Sequence, residues 1–236
     1  MPCFTASSPE RSIVLMLCAC LIGAALPGQV HAQAQSPVAA PASSPALQEL
    51  LARFAAMSGL SAKFHEEKRM ALLAAPLVNE GVLYFAPRGR LARHITAPAP
   101  ATVLIDEGSL RYADAGGSES MSLNQNPVLR LFVESFVKIF AGDRAALERM
   151  YTLELIAAPP GTDAVARWTL NLRPRIAPMT QIIERIEIVG HEVTLETMRV
   201  IEVGGDETIT TFTEVDTQRR FTPQEQATLF ALPPKR

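Results

Sequence analysis

Three histidines are the residues of this sequence with the clearest capacity for acid–base chemistry. His65 precedes Glu66, His94 lies in a basic segment, and His191 follows a glycine. A histidine beside a carboxylate can work as a general base, because its ordinary pKa lies near neutrality. The residues around His65 alternate as in a strand, however, and we expect a solvated strand face there. We expect His94 and His191 at the surface as well.

The sequence lacks the motifs of nucleophilic, metal and phosphate chemistry. No serine lies in a Gly-x-Ser-x-Gly segment, and no two histidines have the i, i+4 or His-x-His spacing of metal ligands. Gly204-Gly205-Asp206 predicts a hairpin turn rather than a phosphate loop, since no predicted helix follows it. The sequence therefore predicts no catalytic residue, no metal site and no cofactor.

Charge and cysteine content exclude several classes of protein. The 236 residues carry 22 Lys and Arg against 24 Asp and Glu, so no excess of positive charge indicates nucleic-acid binding. The three cysteines are Cys3, Cys18 and Cys20, so the rest of the chain can form neither a disulfide scaffold nor a cysteine-based zinc site. The length fits one large domain or two small ones.

The N-terminus has the order of a secretory signal peptide. An apolar run at residues 13–26 follows Arg11 and is succeeded by Val30-His31-Ala32, which predicts residues 1–32 as a signal peptide cleaved after the alanine. The run is shorter than the roughly 20 residues that a membrane anchor needs. An alternative is lipoprotein processing, with acylation of Cys20.

The pattern of the remaining chain predicts an α+β fold. Residues 33–45, rich in Ala, Pro and Gln, predict a flexible leader, and apolar spacing predicts an amphipathic helix over 46–58. Segments of alternating hydrophobicity between Gly- and Pro-rich turns then predict about ten antiparallel strands. These segments are 60–70, 77–87, 90–96, 101–106, 109–114, 150–157, 164–173, 180–189, 194–203 and 207–215. We expect a curved antiparallel sheet that forms an unclosed half-barrel, with helices covering its concave hydrophobic face.

A helix predicted over residues 128–140 interrupts the strands. Nine of its thirteen residues are large and apolar, which indicates burial of most of its surface. Phe132, Phe136 and Phe140 recur every four residues and share one face. Two interpretations stay open: the helix is ordinary core, or its apolar face lines a cavity for an acyl chain. A short helix over 144–150 follows.

The segment from residue 47 to residue 115 resembles the LolA family of periplasmic lipoprotein carriers. The resemblance rests on Phe64 in one strand, on Gly-Val-Leu-Tyr-Phe-Ala-Pro at 81–87, and on Val-Leu-Ile-Asp-Glu-Gly at 103–108 followed by Leu-Arg-Tyr at 110–112. The order of signal peptide, amphipathic helix, strands, helical segment and further strands also agrees.

This resemblance implies a carrier with one domain over 46–236 and a helical lid over a hydrophobic cavity. The implied fold is an eleven-stranded unclosed barrel. The implied activity is non-enzymatic: a monomer that escorts acylated or lipid-like cargo across the periplasm, between an inner-membrane donor and an outer-membrane acceptor protein. Strand phase, the apolar face of helix 128–140 and the resemblance together predict the residues of the cavity. They are Phe64, Leu83, Phe85, Leu129, Phe132, Phe136, Phe140, Trp168, Ile186 and Phe212.

One departure from the family pattern concerns the lid. Family members carry a basic residue just before the proline that is Pro87 here, where it bonds to the lid, whereas this chain has Ala86. Arg88 is the nearest substitute, and we expect it to take part in opening and closing. Two other functions stay open: a periplasmic lipid- or lipoprotein-sensing regulator of the same fold and, more remotely, a cofactor-free enzyme.

Overall fold

One antiparallel sheet of eleven strands frames the protein in the computed structural model, which describes residues 45–106, 108–157 and 167–233. The strands are β1 Leu60–Arg69, β2 Leu77–Ala86, β3 Arg90–Ala97, β4 Ala101–Asp106, β5 Ser109–Asp114, β6 Gly117–Ser122, β7 Tyr151–Ala157, β8 Arg167–Pro174, β9 Ile183–His191, β10 Thr194–Glu202 and β11 Glu207–Asp216. The predicted signal peptide and all of the predicted leader except Pro45 lie outside the described residues.

The strand order is β6-β5-β4-β3-β2-β1-β11-β10-β9-β8-β7. Strands that are adjacent in the sheet are therefore also consecutive in the chain, except at the centre. There the first strand, β1, pairs with the last, β11, and Phe64 lies opposite Phe212. The sheet ends in two edges, β6 and β7, and does not close. This arrangement confirms the predicted α+β fold with an unclosed antiparallel barrel.

The α-helices of the described chain are α1 Pro45–Ala55, α2 Pro127–Phe140, α3 Arg144–Met150 and α4 Pro223–Leu229. Local chemistry starts α2, because the Asn126 side chain accepts a hydrogen bond from the Leu129 backbone N–H at 3.0 Å and Pro127 occupies the first turn. Asp143 caps α3 in the same way through Ala146, at 3.1 Å.

Two elements were not predicted from the sequence. Strand β6 contains Met121 as its one large apolar side chain, so its pattern does not alternate. Helix α4 lies in a polar segment whose Thr222 and Glu225 form a capping box. Predicted bounds also shift: helix 46–58 ends at Ala55, and β9 starts later than predicted because residues 179–181 form a 3₁₀ turn.

Helices α1 and α2 cover the concave face of the sheet. The buried face of α1 includes Phe54, whose ring meets Trp168 edge-on at 6.0 Å between centroids. The fully buried Ser135 of α2 shares a 2.5 Å hydrogen bond with the Tyr151 hydroxyl of β7. A Cβ added at Gly142, after α2, would lie 2.0 Å from the Leu51 carbonyl oxygen. The helices are therefore packed too closely there for any larger residue.

Helix α4 and the residues around it cover the convex face instead. Phe230 packs there with Ala86, Ala92 and Leu104. His94 Nε2 donates a hydrogen bond to the Leu229 carbonyl oxygen at 2.8 Å. His94 is consequently half-buried beneath the C-terminal segment, and the expectation of an open surface position was wrong.

Candidate ligand-binding cavity

A cavity of about 660 Å³ lies between the concave face of the sheet and helix α2. This volume is within the range of sites that enclose small organic ligands. Most of its wall is aliphatic or aromatic. The apolar lining residues are Phe64, Pro76, Leu77, Val78, Leu83, Leu91, Pro98, Ile105, Phe132, Val133, Phe136, Ile139, Phe140, Ile188, Leu195, Met198, Val200 and Phe212.

Six of the ten residues predicted for the cavity lie in its wall. They are Phe64, Leu83, Phe132, Phe136, Phe140 and Phe212. The Phe132 and Phe136 rings pack edge-to-face with centroids 4.9 Å apart. Both side chains are only partly buried, which is the condition expected of residues with a face toward open space.

The other four predicted residues lie in the core rather than in the wall. Phe85 packs on Phe140 with ring centroids 5.2 Å apart, and Leu129 is 2% exposed. Trp168 donates its indole N–H to the Glu192 carbonyl oxygen at 3.0 Å, and Ile186 is fully buried. Strand phase brings Phe85, Trp168 and Ile186 to the concave face, but they are buried in the core there. Leu129 belongs to helix α2, on its buried side.

The mouth of the cavity has an apolar rim. Strand β2 begins with Leu77 and Val78, which line the cavity and are 43% and 37% exposed. Leu72 and Leu73 of the preceding β1–β2 loop are 89% and 44% exposed. Val203, in the turn after β10, is 56% exposed, and the two loops are joined by a hydrogen bond between Ala71 and Asp206. The strand ends on this side thus present exposed hydrocarbon beside the opening.

A group of six polar side chains, here called the inner polar patch, forms one end of this apolar wall. Its members are Glu66, Lys68, Asn79, Arg93, Thr208 and Thr210, and all six line the cavity. They come from four strands that lie side by side, β1, β2, β3 and β11.

Glu66 is the centre of the hydrogen bonds in this patch. Its carboxylate accepts from Arg93 Nη2 at 2.7 Å, from Asn79 Nδ2 at 3.3 Å and from the Thr210 hydroxyl at 3.2 Å. Burial on its own would raise the pKa of Glu66. The Arg93 charge and the three hydrogen bonds outweigh it and hold that pKa below its usual range. The group is therefore a buried carboxylate anion.

The remaining charges of the patch are also compensated. Lys68 Nζ lies 2.9 Å from Glu202 Oε1, and both side chains are 6% exposed. The Arg93 guanidinium stacks on the Phe64 ring, with Cζ 4.2 Å from the centroid. The patch thus joins the apolar wall directly, through a cation–π contact.

The prediction of a solvated face around His65 was therefore half wrong. His65 itself is exposed and hydrogen-bonds Glu80 at 3.0 Å. Glu66 and Lys68, however, point inward, because they continue the phase of Leu60 and Phe64 on β1. The sequence itself contains this signal. The alternate positions of β1 that point inward are apolar at first and then charged, which indicates buried charges at that end of the strand.

The β2–β3 turn carries the residue predicted for gating. Arg88 is exposed and has φ 71, and the next residue, Gly89, has φ 75, so two of the three turn residues between Ala86 and Arg90 have left-handed backbone. A Cβ at Gly89 would lie 2.8 Å from Val137 Cγ1, so this turn touches helix α2. Ala86 faces the convex side, away from that helix.

Membrane-spanning helices and clustered metal ligands are both absent from the described residues. No helix among them is long and apolar enough to cross a membrane. In the same ranges, no three His, Cys, Asp or Glu side chains are grouped so as to hold a metal ion.

A half-barrel with helices over an apolar cavity defines a class of proteins that enclose hydrophobic ligands. Residues 39–225 match the family described as outer membrane lipoprotein carrier protein LolA-like, and the chain belongs to this family. Members of this family are typically periplasmic and generally not enzymes. Comparison with curated proteins finds no match.

Solved structures show a likeness of fold at low sequence identity. A LolA superfamily protein of Nitrosomonas europaea is 11% identical, with a TM-score of 0.40 over 76% of this chain and 96% of that one. An outer membrane lipoprotein-sorting protein domain of Vibrio parahaemolyticus is 10% identical, with a TM-score of 0.44 over 78% and 96%. In the MucA/MucB complex of Pseudomonas aeruginosa, the matching chain is 14% identical, with a TM-score of 0.45 over 76% and 60%.

Proposed function

We propose that this protein is a periplasmic carrier that binds an acylated or otherwise hydrophobic ligand and moves it between the inner and outer membranes. The observation that carries the proposal is the cavity of about 660 Å³, walled by phenylalanines of helix α2 and of the central strands. Its activity is binding and release rather than catalysis. A donor protein at the inner membrane and an acceptor protein at the outer membrane would load and unload it as a monomer.

Energetics support a ligand with an alkyl chain. Each buried methylene stabilises a complex by about 0.8 kcal/mol, so a chain of about twelve carbons contributes on the order of 10 kcal/mol before costs. Ordering the ligand and opening the helical cover offset part of this. A carrier needs such an offset, because it has to release what it binds.

The apolar rim supports entry at the strand ends beside the β1–β2 loop. Leu72 and Leu73 are exposed to water there, beside the Leu77 and Val78 that belong to the wall. Hydrocarbon moving from a membrane or a partner toward the cavity would meet this exposed apolar rim first. Export through the signal peptide at 1–32 would bring the mature chain, starting at Gln33, to this compartment.

The test is recovery of the ligand from the protein in its own compartment. Native mass spectrometry of the exported protein should show the mass of a chain beginning at Gln33 and a second species heavier by one amphiphile. Denaturation should release that mass as an acylated molecule. A mature protein that never carries lipid, and that fails to bind an uncharged apolar fluorophore, would contradict the proposed function. A mature N-terminus at acylated Cys20 would contradict the free, mobile carrier.

A further inference from the structure

Exposed hydrocarbon is concentrated at one end of the sheet. Seven large aliphatic side chains are well exposed among the described residues, and six of them lie at the end where β1 stops and β2 starts. These six, here called the apolar end, are Leu72, Leu73, Leu77, Val78, Ile176 and Val203. The seventh, Ile156, lies on β7 toward the opposite end. A contiguous exposed apolar surface of this kind marks an interaction site.

Packing within the chain does not explain the position of Leu72. The β1–β2 loop is ordered, because the Ala71 N–H donates to Asp206 Oδ1 and the Leu73 N–H donates to the Met70 carbonyl oxygen, both at 3.0 Å. The loop nevertheless leaves Leu72 89% exposed to water. A leucine in that position gains almost no stabilisation from burial. Its hydrocarbon is therefore available to a surface outside the chain.

The connections at the apolar end have no net charge. Five connections lie there, at residues 70–76, 98–100, 115–116, 175–182 and 203–206. Together they contain one basic and one acidic residue, Arg175 and Asp206. Arg175 Nη1 donates to the Glu148 carbonyl oxygen at 3.0 Å, and Asp206 accepts from Ala71 as described. The described turns at the opposite end differ, since they contain Arg88, Glu192, Arg219 and Arg220.

This composition suits a lipid bilayer better than a protein partner. Protein interfaces are enriched in aromatic residues and arginine and have a hydrogen-bonding rim. The five connections contain no aromatic residue, and their exposed large side chains are aliphatic. The boundary of a bilayer accepts aliphatic side chains but disfavours unsatisfied backbone N–H groups. Four prolines, which have no N–H, lie in these connections: Pro76, Pro98, Pro100 and Pro178.

The cavity opens at the same end of the sheet. Pro76, Leu77, Val78 and Pro98 lie at this end and also line the cavity. A surface that covers the apolar end therefore also lies against the mouth of the cavity.

We propose that the apolar end is a membrane-docking surface, which binds the protein directly to a lipid bilayer with Leu72 and Leu73 inserted at its boundary. The inference goes beyond the proposed carrier function, which needs a cavity but no contact between the protein and lipid. Docking of this kind is peripheral and reversible, and it turns the mouth of the cavity toward the membrane. Because it depends on hydrocarbon rather than on charge, it should need neither anionic lipid nor low salt.

Flotation of the full mature chain with lipid vesicles tests the proposal. Vesicles of phosphatidylcholine, and vesicles with about a third of phosphatidylglycerol, should bind the protein equally at low and at high salt. The double variant Leu72→Asp/Leu73→Asp should bind at least about tenfold more weakly, since each change removes an inserted apolar group and adds a charge that must stay hydrated. Ile156→Asp is the matched control, because Ile156 is 52% exposed at the opposite end and its replacement should leave vesicle binding unchanged. Urea unfolding midpoints show whether each variant is folded.

A site-specific dye gives a second measurement that does not depend on loss of binding. A chain beginning at Gln33 contains no cysteine, so one introduced cysteine can be labelled alone. A nitrobenzoxadiazole label on Leu72→Cys should emit at shorter wavelength when phosphatidylcholine vesicles are added. The same label on Ile156→Cys should keep its emission wavelength.

Several results would overturn the membrane-docking surface. They are no binding to phosphatidylcholine vesicles, binding only to anionic vesicles at low salt, undiminished binding of the folded double aspartate variant, or equal emission shifts from the two labels. A dimer of the unmodified protein that the double variant converts to a monomer would also overturn it, since a second copy would then cover the apolar end. The carrier function survives these results if the protein binds 1-N-phenylnaphthylamine, an uncharged apolar fluorophore. Conversely, a protein that binds vesicles but not this fluorophore would contradict the carrier function alone.

Discussion

Replacing Phe136 with alanine separates the two roles that helix α2 can have. Phe136 lines the cavity, is only partly buried and packs on Phe132. An aromatic side chain offers about 200 Å² of surface, and roughly half of it, about 100 Å², would contact a bound chain. At ~25 cal/mol per Å², Phe136→Ala should weaken binding by about 2.5 kcal/mol, between tenfold and a hundredfold in Kd. Its free energy of unfolding should fall by only ~1 kcal/mol, because the side chain is only partly buried and an aromatic pair such as that with Phe132 contributes about this much.

Leu129→Ala is the matched control on the same helix. Leu129 is 2% exposed and does not line the cavity, so its replacement should lower the free energy of unfolding by about 2–5 kcal/mol. The affinity of the remaining folded protein should stay unchanged. Fluorophore titration and urea unfolding of both variants test the pair. If Phe136→Ala destabilises as strongly as Leu129→Ala and binds normally, α2 is ordinary core and Phe136 is not part of a ligand-binding wall.

Three further predictions concern the buried charges and the β2–β3 turn. Lys68→Met should lower the free energy of unfolding by about 3–5 kcal/mol, since it leaves Glu202 buried without this counter-ion. The double variant that also carries Glu202→Met should regain most of this stability. Equal unfolding midpoints for the single and double variants would refute this prediction. The pKa of Glu66 is lower in the folded than in the unfolded chain, so its stabilising contribution is complete above pH 4.5 and is lost as the pH falls through the lower folded-state value. Glu66→Gln should flatten the decline of urea midpoint with acidification, and an unaltered slope would count against the buried anion. Arg88→Leu should change the rates of ligand uptake and release, whereas Arg88→Lys should preserve them. If the stopped-flow traces of both variants match those of the unmodified protein, Arg88 has no part in gating.

The family and the plan of the fold could be derived from the sequence because their signals are local. Period-two alternation marks a strand wherever one face is buried. Helix α2 starts at Asn126-Pro127 because the asparagine side chain accepts a hydrogen bond from a backbone N–H only three residues further on. Where these signals were weak, as in β6 with its single large apolar residue, the element was missed.

Only the tertiary structure decided which inward residues face open space. Phe64 and Trp168 both have the phase of the concave face, yet Phe64 lines the cavity and Trp168 packs under α1 through Phe54. Strand phase reports a face of the sheet, whereas the cover over that face depends on where the helices pack. Phe85, which belongs to the core, could not be separated from the wall for the same reason.

The inner polar patch shows the same division most clearly. From the local sequence, Glu66 and Lys68 are expected to be exposed to solvent, since carboxylates and amines are rarely buried without partners and the adjacent residues supply none. Their partners Arg93 and Glu202 are 27 and 134 residues away along the chain, and the pairing of β1 with β11 is what brings the second half of the sheet close to the first. The sequence by itself determined the alternation that points these side chains inward. The contacts that make burial of their charge tolerable exist only in the folded sheet, because long-range strand pairing creates them.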